Sequence, residues 1–194
     1  MKVLSVREEI ENAIKEIKIN RNHFHEVGKT QWESILRCIE EMFLRKNHHK
    51  NNLHWGWVIF KEPTVGLGFL NDDGYRFLDT LIDNDIVWFI AEDHNDKMWV
   101  YEGQIKAIIS IIANCFSFEY YIVSKKYEWI LCENHHGVLI GSGSIVGKMK
   151  EFPRRTKASY LEKIRLPWLL RKLATSTNNA FKLRVAVRIK NVNQ

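Results

Sequence analysis

The chain has 194 residues, 45% of them hydrophobic and 12% aromatic, with seven Trp, which is ample for a real core and excludes a disordered polypeptide. Its formal charge of +6 is unevenly placed: residues 148–194 carry 13 Lys/Arg against 2 Asp/Glu, whereas residues 1–147 carry 16 against 21. No apolar run approaches the ~20 residues of a membrane span, and MKVLSVREEI lacks the unbroken apolar segment of a secretory signal, so a soluble, cytoplasmic protein without membrane association is expected.

Ser5 with Glu8 three residues on is a capping-box pair, and Ile10, Ala13, Ile14 and Ile17 form one apolar stripe, predicting a helix over 6–19. A second helix is predicted with Thr30 as its cap, Glu33 at the third helical position, and Trp32, Ile35, Leu36, Ile39, Met42 and Phe43 at helical spacing. It fades into the polar stretch RKNHHKNN. The apolar run WGWVIF (55–60) predicts a strand. Residues 61–73, with Pro63 and two glycines, predict a loop, and GYRFLDTLID (74–83) a short helix after an Asp cap. DIVWFIAED (85–93) and KMWVYE (97–102), joined by HND, predict a β-hairpin. QIKAIISIIANCF (104–116) reads as a helix apolar on almost every side, hence covered on more than one face. SFEYYIVS (117–124) and YEWILCEN (127–134), joined by Lys-Lys, predict a second hairpin, and VLIG (138–141) a further strand after an HHG turn.

Both alternating faces of these strands are apolar, Trp129 and Leu131 on one, Ile130 and Cys132 on the other. Such strands lie in a sheet covered on both sides. The expectation is an α+β fold: a mainly antiparallel sheet of about five strands with packed helices, forming a core domain over 1–147. Residues 148–194 read as a basic C-terminal helix–strand extension docked on that core. Ser159 with Glu162, and Pro167 before WLLRKL, mark helix starts. FKLRVAVRI (181–189) alternates an apolar face with a basic one. The three cysteines, Cys38, Cys115 and Cys132, sit among apolar neighbours without a CxxC spacing and read as buried reduced thiols.

The densest candidate motif is ENHHGVLIGSGSIVGKM (133–149). A phosphate loop needs Gly where Ser142 stands and Ser or Thr where Met149 stands. A dinucleotide loop needs Gly at Val146. The glycines therefore read as permissive backbone where a strand leaves the sheet. Glu133 and His135 share a strand face and, with His136, are the candidates for acid–base work. The competing and preferred reading is a sheet-edge turn whose polar groups satisfy backbone. Adjacent histidines on a strand point to opposite faces and no spacing unites the others, so no metal site and no cofactor is expected. Asp93, His94 and Asp96 read as turn chemistry, and Trp55, Trp57, Trp88, Trp99, Tyr101, Tyr120, Tyr121 and Trp129 as core.

The segments WFIAED with KMWVYEG, and EYYIVSKKYEWILCENHH, resemble a family of small uncharacterised bacterial proteins sharing an EYYIV…EW…ENHH signature, over residues 85–145. That resemblance implies no activity and assigns no catalytic residue. The chain is more loosely similar to toxin-immunity-type α+β modules, which implies a non-enzymatic module that binds another protein. Two alternatives stand beside it. One is nucleic-acid binding through the basic segment, with Lys182, Arg184, Arg188 and Lys190 on one strand face. The other is a hydrolase using Glu133 with His135 or His136.

Overall fold

The computed structural model describes residues 4–28, 30–46, 53–69, 74–83 and 85–156. Of the extension predicted over 148–194, residues 157–194, including Lys182, Arg184, Arg188 and Lys190, lie outside the described residues.

The fold is α+β, with one antiparallel sheet of seven strands instead of the five expected. In chain order these are β1 (Phe24–Glu26), β2 (Thr64–Gly68), β3 (Ile86–Asp93), β4 (Lys97–Gln104), β5 (Tyr120–Ser124), β6 (Trp129–Glu133) and β7 (Val138–Gly143). Across the sheet they run β1-β4-β3-β5-β6-β7-β2. The predicted hairpins β3–β4 and β5–β6, and the further strand β7, form its middle. The two strands without a sequence expectation are its edges. Phe24 of β1 packs over Gly103 of β4, where an added Cβ would meet the Phe24 ring at 2.5 Å. β2 pairs with β7 from Thr64↔Ser142 to Gly68↔Val138, in the stretch expected to be a loop.

Five helices occur among the described residues: α1 (Val6–Glu16), α2 (Trp32–Phe43), α3 (Leu78–Leu81), α4 (Ile105–Ile112) and α5 (Ile145–Thr156). The Ser5–Glu8 capping box is formed, with each side chain bonding the other residue's backbone N–H. Thr30 is not the cap of α2. Gln31 occupies that position without a side-chain bond, while the Ser34 hydroxyl donates to its carbonyl. Residues 74–83 divide into a 3-10 turn, Gly74–Phe77, and the single turn α3.

The sheet is covered on both faces. One face holds Phe89, Tyr101, Tyr120, Ile122, Leu131 and Leu139 against Ile10 and Ile14 of α1, Leu78 and Leu81 of α3, Ile108 and Ile111 of α4, and Met149 and Phe152 of α5. The other holds Ile90, Val100, Tyr121, Val123, Ile130 and Cys132 against Ile35, Ile39 and Phe43 of α2 and against Leu53 and Phe60. Each fully buried aliphatic or aromatic side chain contributes roughly 1.5–3 kcal/mol. The double cover explains why β5 has no polar position exposed and why period-two alternation is absent from its sequence. Met149 and Phe152 place the first turns after residue 147 in this core. No helix among the described residues is long and apolar enough to cross a membrane.

The expected strand at 55–60 is a 3-10 turn, Gly56–Ile59, and only Phe60 bridges to Leu44. The cause is local. Trp55 adopts left-handed backbone at φ 53°, which breaks the extended run at its first residue. Trp55 is therefore not core; it is 55% exposed. Of the three thiols, only Cys132 is buried, and Cys38 and Cys115 are half-buried.

Candidate functional site

The ENHH segment leaves the sheet at the end of β6, and its four side chains separate at once. Glu133 is the last strand residue and turns into the core, where its Oε2 accepts the Tyr120 hydroxyl from neighbouring β5. Asn134 is buried as well, its Oδ1 accepting from the backbone of His136 and Val138, both at 3.1 Å. With Gly137 at φ 66°, it closes the turn into β7. His135 and His136 project outward, their ring centroids 4.0 Å apart. The two predicted candidates bond different neighbours, Glu133 with Tyr120 and His135 with Glu119.

The carboxylate that holds His135 comes from the other strand of the hairpin. Glu119 precedes β5, and its Oε2 lies 3.0 Å from His135 Nδ1 and accepts the His135 backbone N–H at 3.3 Å. Only 7% of the Glu119 side chain is exposed, against 50% of His135. A buried carboxylate thereby fixes the ring of an exposed imidazole. With Nδ1 committed, Nε2 is the nitrogen available at the surface.

A second pair of the same kind stands beside it. Glu92 near the end of β3 lies next to Glu119, whose carbonyl accepts the Glu92 N–H at 2.9 Å. Glu92 Oε1 bonds His54 Nδ1, and Asp96 Oδ1 lies 3.3 Å from the same nitrogen. Burial, reinforced by the Glu119 charge, pushes the Glu92 carboxyl up, although the bond to His54 works the other way. Beneath the pairs, the Tyr121 hydroxyl donates to the Leu53 carbonyl at 2.7 Å and anchors the segment carrying His54 and Trp55. The Trp55 ring stacks on His54 at 5.0 Å and lies 6.4 Å from His135, while Trp57 meets both His135 and His136 edge-on at 6.1 Å.

Residue-level reading of the sequence missed His54, Glu92 and Glu119. The available signal was that Glu92 and Glu119 are acidic residues set beside otherwise apolar strand runs. The pairing itself depends on register, which puts Ala91 opposite Tyr120 and so aligns the two carboxylates. Asp93 is a structural residue, as its turn position implied. Its carboxylate accepts from His94 N–H at 2.8 Å, Val6 N–H at 3.2 Å and Trp99 Nε1 at 2.8 Å. Among the described residues, no group of three or more His, Cys, Asp or Glu side chains is placed to hold a metal ion.

At the same end of the sheet, a cleft of about 170 Å³ opens between β5, β6 and the segment after α4, and it shares His135 with the cluster around Trp55. Tyr75, Phe116, Phe118 and Tyr120 supply rings to its wall, with Cys115, Glu133 and His135 also lining it. Burial, then the nearby Glu9, pushes the Cys115 thiol up to about 12, so it is not a thiolate nucleophile at neutral pH.

A family of unknown function, DUF6756, matches residues 2–152. The chain belongs to that family. The match is wider than residues 85–145, from which the resemblance to an uncharacterised family was read. The DUF6756 region holds both faces of the core, the two Glu–His pairs and the cleft, and it stops at Phe152, a buried residue of α5. No curated protein and no solved structure matches the chain.

Proposed function

We propose that this DUF6756 chain is a non-enzymatic protein-binding module of the bacterial cytoplasm, with its contact surface centred on Trp55 between His54 and His135. The observation that carries the reading is Trp55 itself. Its left-handed backbone costs a residue with a Cβ about 1–2 kcal/mol, and the conformation turns a large ring out to solvent. Strain held in this way concentrates at functional positions. Exposed Trp beside fixed polar groups has the composition of a binding hot spot. Val58, also exposed, extends the apolar patch. The exposed carboxylate of Asp96 beside His54 suits a partner that presents a basic side chain.

A photo-crosslinking residue at position 55 should trap one partner, and the same residue at the exposed Lys126, on the turn at the other end of β5, should not. Trp55→Ala should weaken capture at least about tenfold with the melting temperature unchanged. Equal trapping from both positions would reject the surface. The specific form proposed is an immunity-type role, supported by the looser likeness to toxin-immunity modules: deletion should sensitise cells to a neighbouring gene product. Undiminished survival would remove that form alone.

A second reading is favoured by the buried carboxylate behind an exposed imidazole, the arrangement that orients a general base. In this hydrolase version His135 works with Glu119 and not with Glu133. Turnover of activated ester or phosphoester probes that His135→Ala abolishes would establish it.

A further inference from the structure

We propose that the contact surface at Trp55 receives an arginine side chain of the partner protein, its apolar stem lying along the Trp55 ring and its guanidinium on the carboxylate of Asp96. The proposal rests on the protein-binding reading of Trp55 and names the chemistry of what binds there.

His54 brings the two groups together. The Trp55 ring stacks on it, with centroids 5.0 Å and planes 21° apart, and Asp96 Oδ1 lies 3.3 Å from its Nδ1. That nitrogen carries at most one hydrogen, and Glu92 Oε1 is the nearer acceptor. The Asp96 carboxylate, 44% exposed, is therefore left for a partner. Among the described residues, no basic group other than His54 pairs with it. The adjacent Lys97 holds its ammonium 4.0 Å over the Trp99 ring, which packs on the α1 face of the sheet. Trp55 gives one ring face to His54 and still leaves 55% of its surface exposed.

Arginine suits both groups at once. Its stem covers apolar surface while its head stays with the charge. The guanidinium is planar and weakly hydrated and takes carboxylates and aromatic faces, whereas the lysine ammonium is a strongly hydrated point charge. An acidic side chain is repelled by Asp96. A purely apolar one covers Trp55 but strips water from the carboxylate without replacing it. Both groups are also placed in advance. Asp96 ends the 3-10 turn between β3 and β4, in left-handed backbone at φ 59°. The segment carrying Trp55 is anchored by the Tyr121 hydroxyl on the Leu53 carbonyl. Little ordering remains to be done on binding.

The test labels the full chain with fluorotryptophan and follows the Trp55 fluorine signal, identified by its loss in Trp55→Phe. The probes are end-blocked Gly-Arg-Gly, Gly-Lys-Gly and Gly-citrulline-Gly, citrulline keeping the shape of arginine without its charge. The arginine peptide should shift the signal saturably and bind at least about threefold more tightly than either of the others, within the range of an exposed ion pair. Asp96→Asn should remove that difference, and because asparagine adopts left-handed backbone as aspartate does, the variant keeps the turn. No shift with the arginine peptide, equal binding of the arginine and citrulline peptides, or a preference that survives in Asp96→Asn would overturn the proposal. So would lysine binding as tightly as arginine, which would make Asp96 a site for any cation. Photo-crosslinking from position 55 separates this outcome from the reading beneath it. A trapped partner without an arginine preference removes the arginine alone, whereas no trapped partner rejects the protein-binding reading itself.

Discussion

Asp93 and Glu92 are adjacent carboxylates at the end of β3, and their surroundings give them opposite pH signatures. Burial works against the Asp93 charge, but the bonds from Trp99, His94 and Val6 outweigh it and hold the carboxyl below the ordinary aspartate range. A lowered acid contributes stability that is fully present above the unfolded-chain value of about 3.9 and is lost as pH falls through the lowered one. Asp93→Asn leaves the Trp99 N–H facing an amide in place of a carboxylate oxygen. It should cost about 1–3 kcal/mol at neutral pH, and the deficit against wild type should close on acidification. Urea denaturation across pH 2–7 measures both. Glu92 has the reverse sign. Its carboxyl is raised by burial and by Glu119, so its contribution is greatest below the unfolded-chain value of about 4.3 and is withdrawn as pH climbs through that value to the raised one. Glu92→Gln keeps an oxygen for His54 and removes the titration. The stability of wild type relative to this variant should therefore fall as pH climbs above about 4.3, a range in which the Asp93 difference is level, since that one shrinks only as pH falls below about 3.9. A flat difference for either variant would contradict its assigned environment.

The elements that were legible in sequence are those whose signal is local. HND between two aromatic runs marks the β3–β4 hairpin because three residues suffice for the turn, and the Ser5–Glu8 spacing marks the start of α1 because both bonds lie within one helical turn. β1 was not legible because Phe-His-Glu is too short to show a period, and β2 because Thr-Val-Gly-Leu-Gly has the composition of a loop and becomes a strand only by pairing with β7. WGWVIF has strand composition throughout and is overruled by one backbone angle at Trp55. The site was half legible for the same reason. The turn role of Asn134 and Gly137 is local, whereas Glu119 reaches His135 across a strand register. The glycines of GSGSIVGK are a direct check on their reading as backbone devices. At Gly143, φ is 82° and an added Cβ would lie 2.3 Å from the Glu128 carbonyl oxygen, so Gly143→Ala should destabilise by roughly 1–3 kcal/mol. Gly147 sits within α5 with nothing inside 4 Å of an added Cβ. Gly147→Ala should stabilise by about 0.4–1 kcal/mol, because the unfolded chain loses freedom and the helix loses nothing. Denaturant midpoints at constant m-value report both, and a loss at Gly147 would indicate a ligand or backbone approach there.

At the scale of the whole molecule, charge separates what the core needs from what the C-terminal segment adds. The two buried clusters run from Ile10 to Phe152, and the family match ends at the same residue. Residues 157–194 carry nine Lys/Arg and one Asp/Glu, so a chain ending at Thr156 changes formal charge from +6 to −2. If the described core is self-sufficient, that shortened chain should unfold in one cooperative transition, with its midpoint within about 3 °C of full length, since a change of 1 kcal/mol moves a domain of this size by some 2–4 °C or more. A large fall or a broadened transition would mean that the basic segment is part of the fold. The same pair of proteins tests the alternative, read from the sequence, of nucleic-acid binding through Lys182, Arg184, Arg188 and Lys190. Four phosphate contacts release counterions in proportion, giving a slope of log affinity against log salt near about −3.6 for duplex DNA. If the basic segment is a nucleic-acid surface, full-length protein should show that slope and the shortened chain should not bind at about 50 mM salt, because its net negative charge repels the polyanion. Equal binding by both, or binding by neither, would remove the basic segment as a nucleic-acid surface.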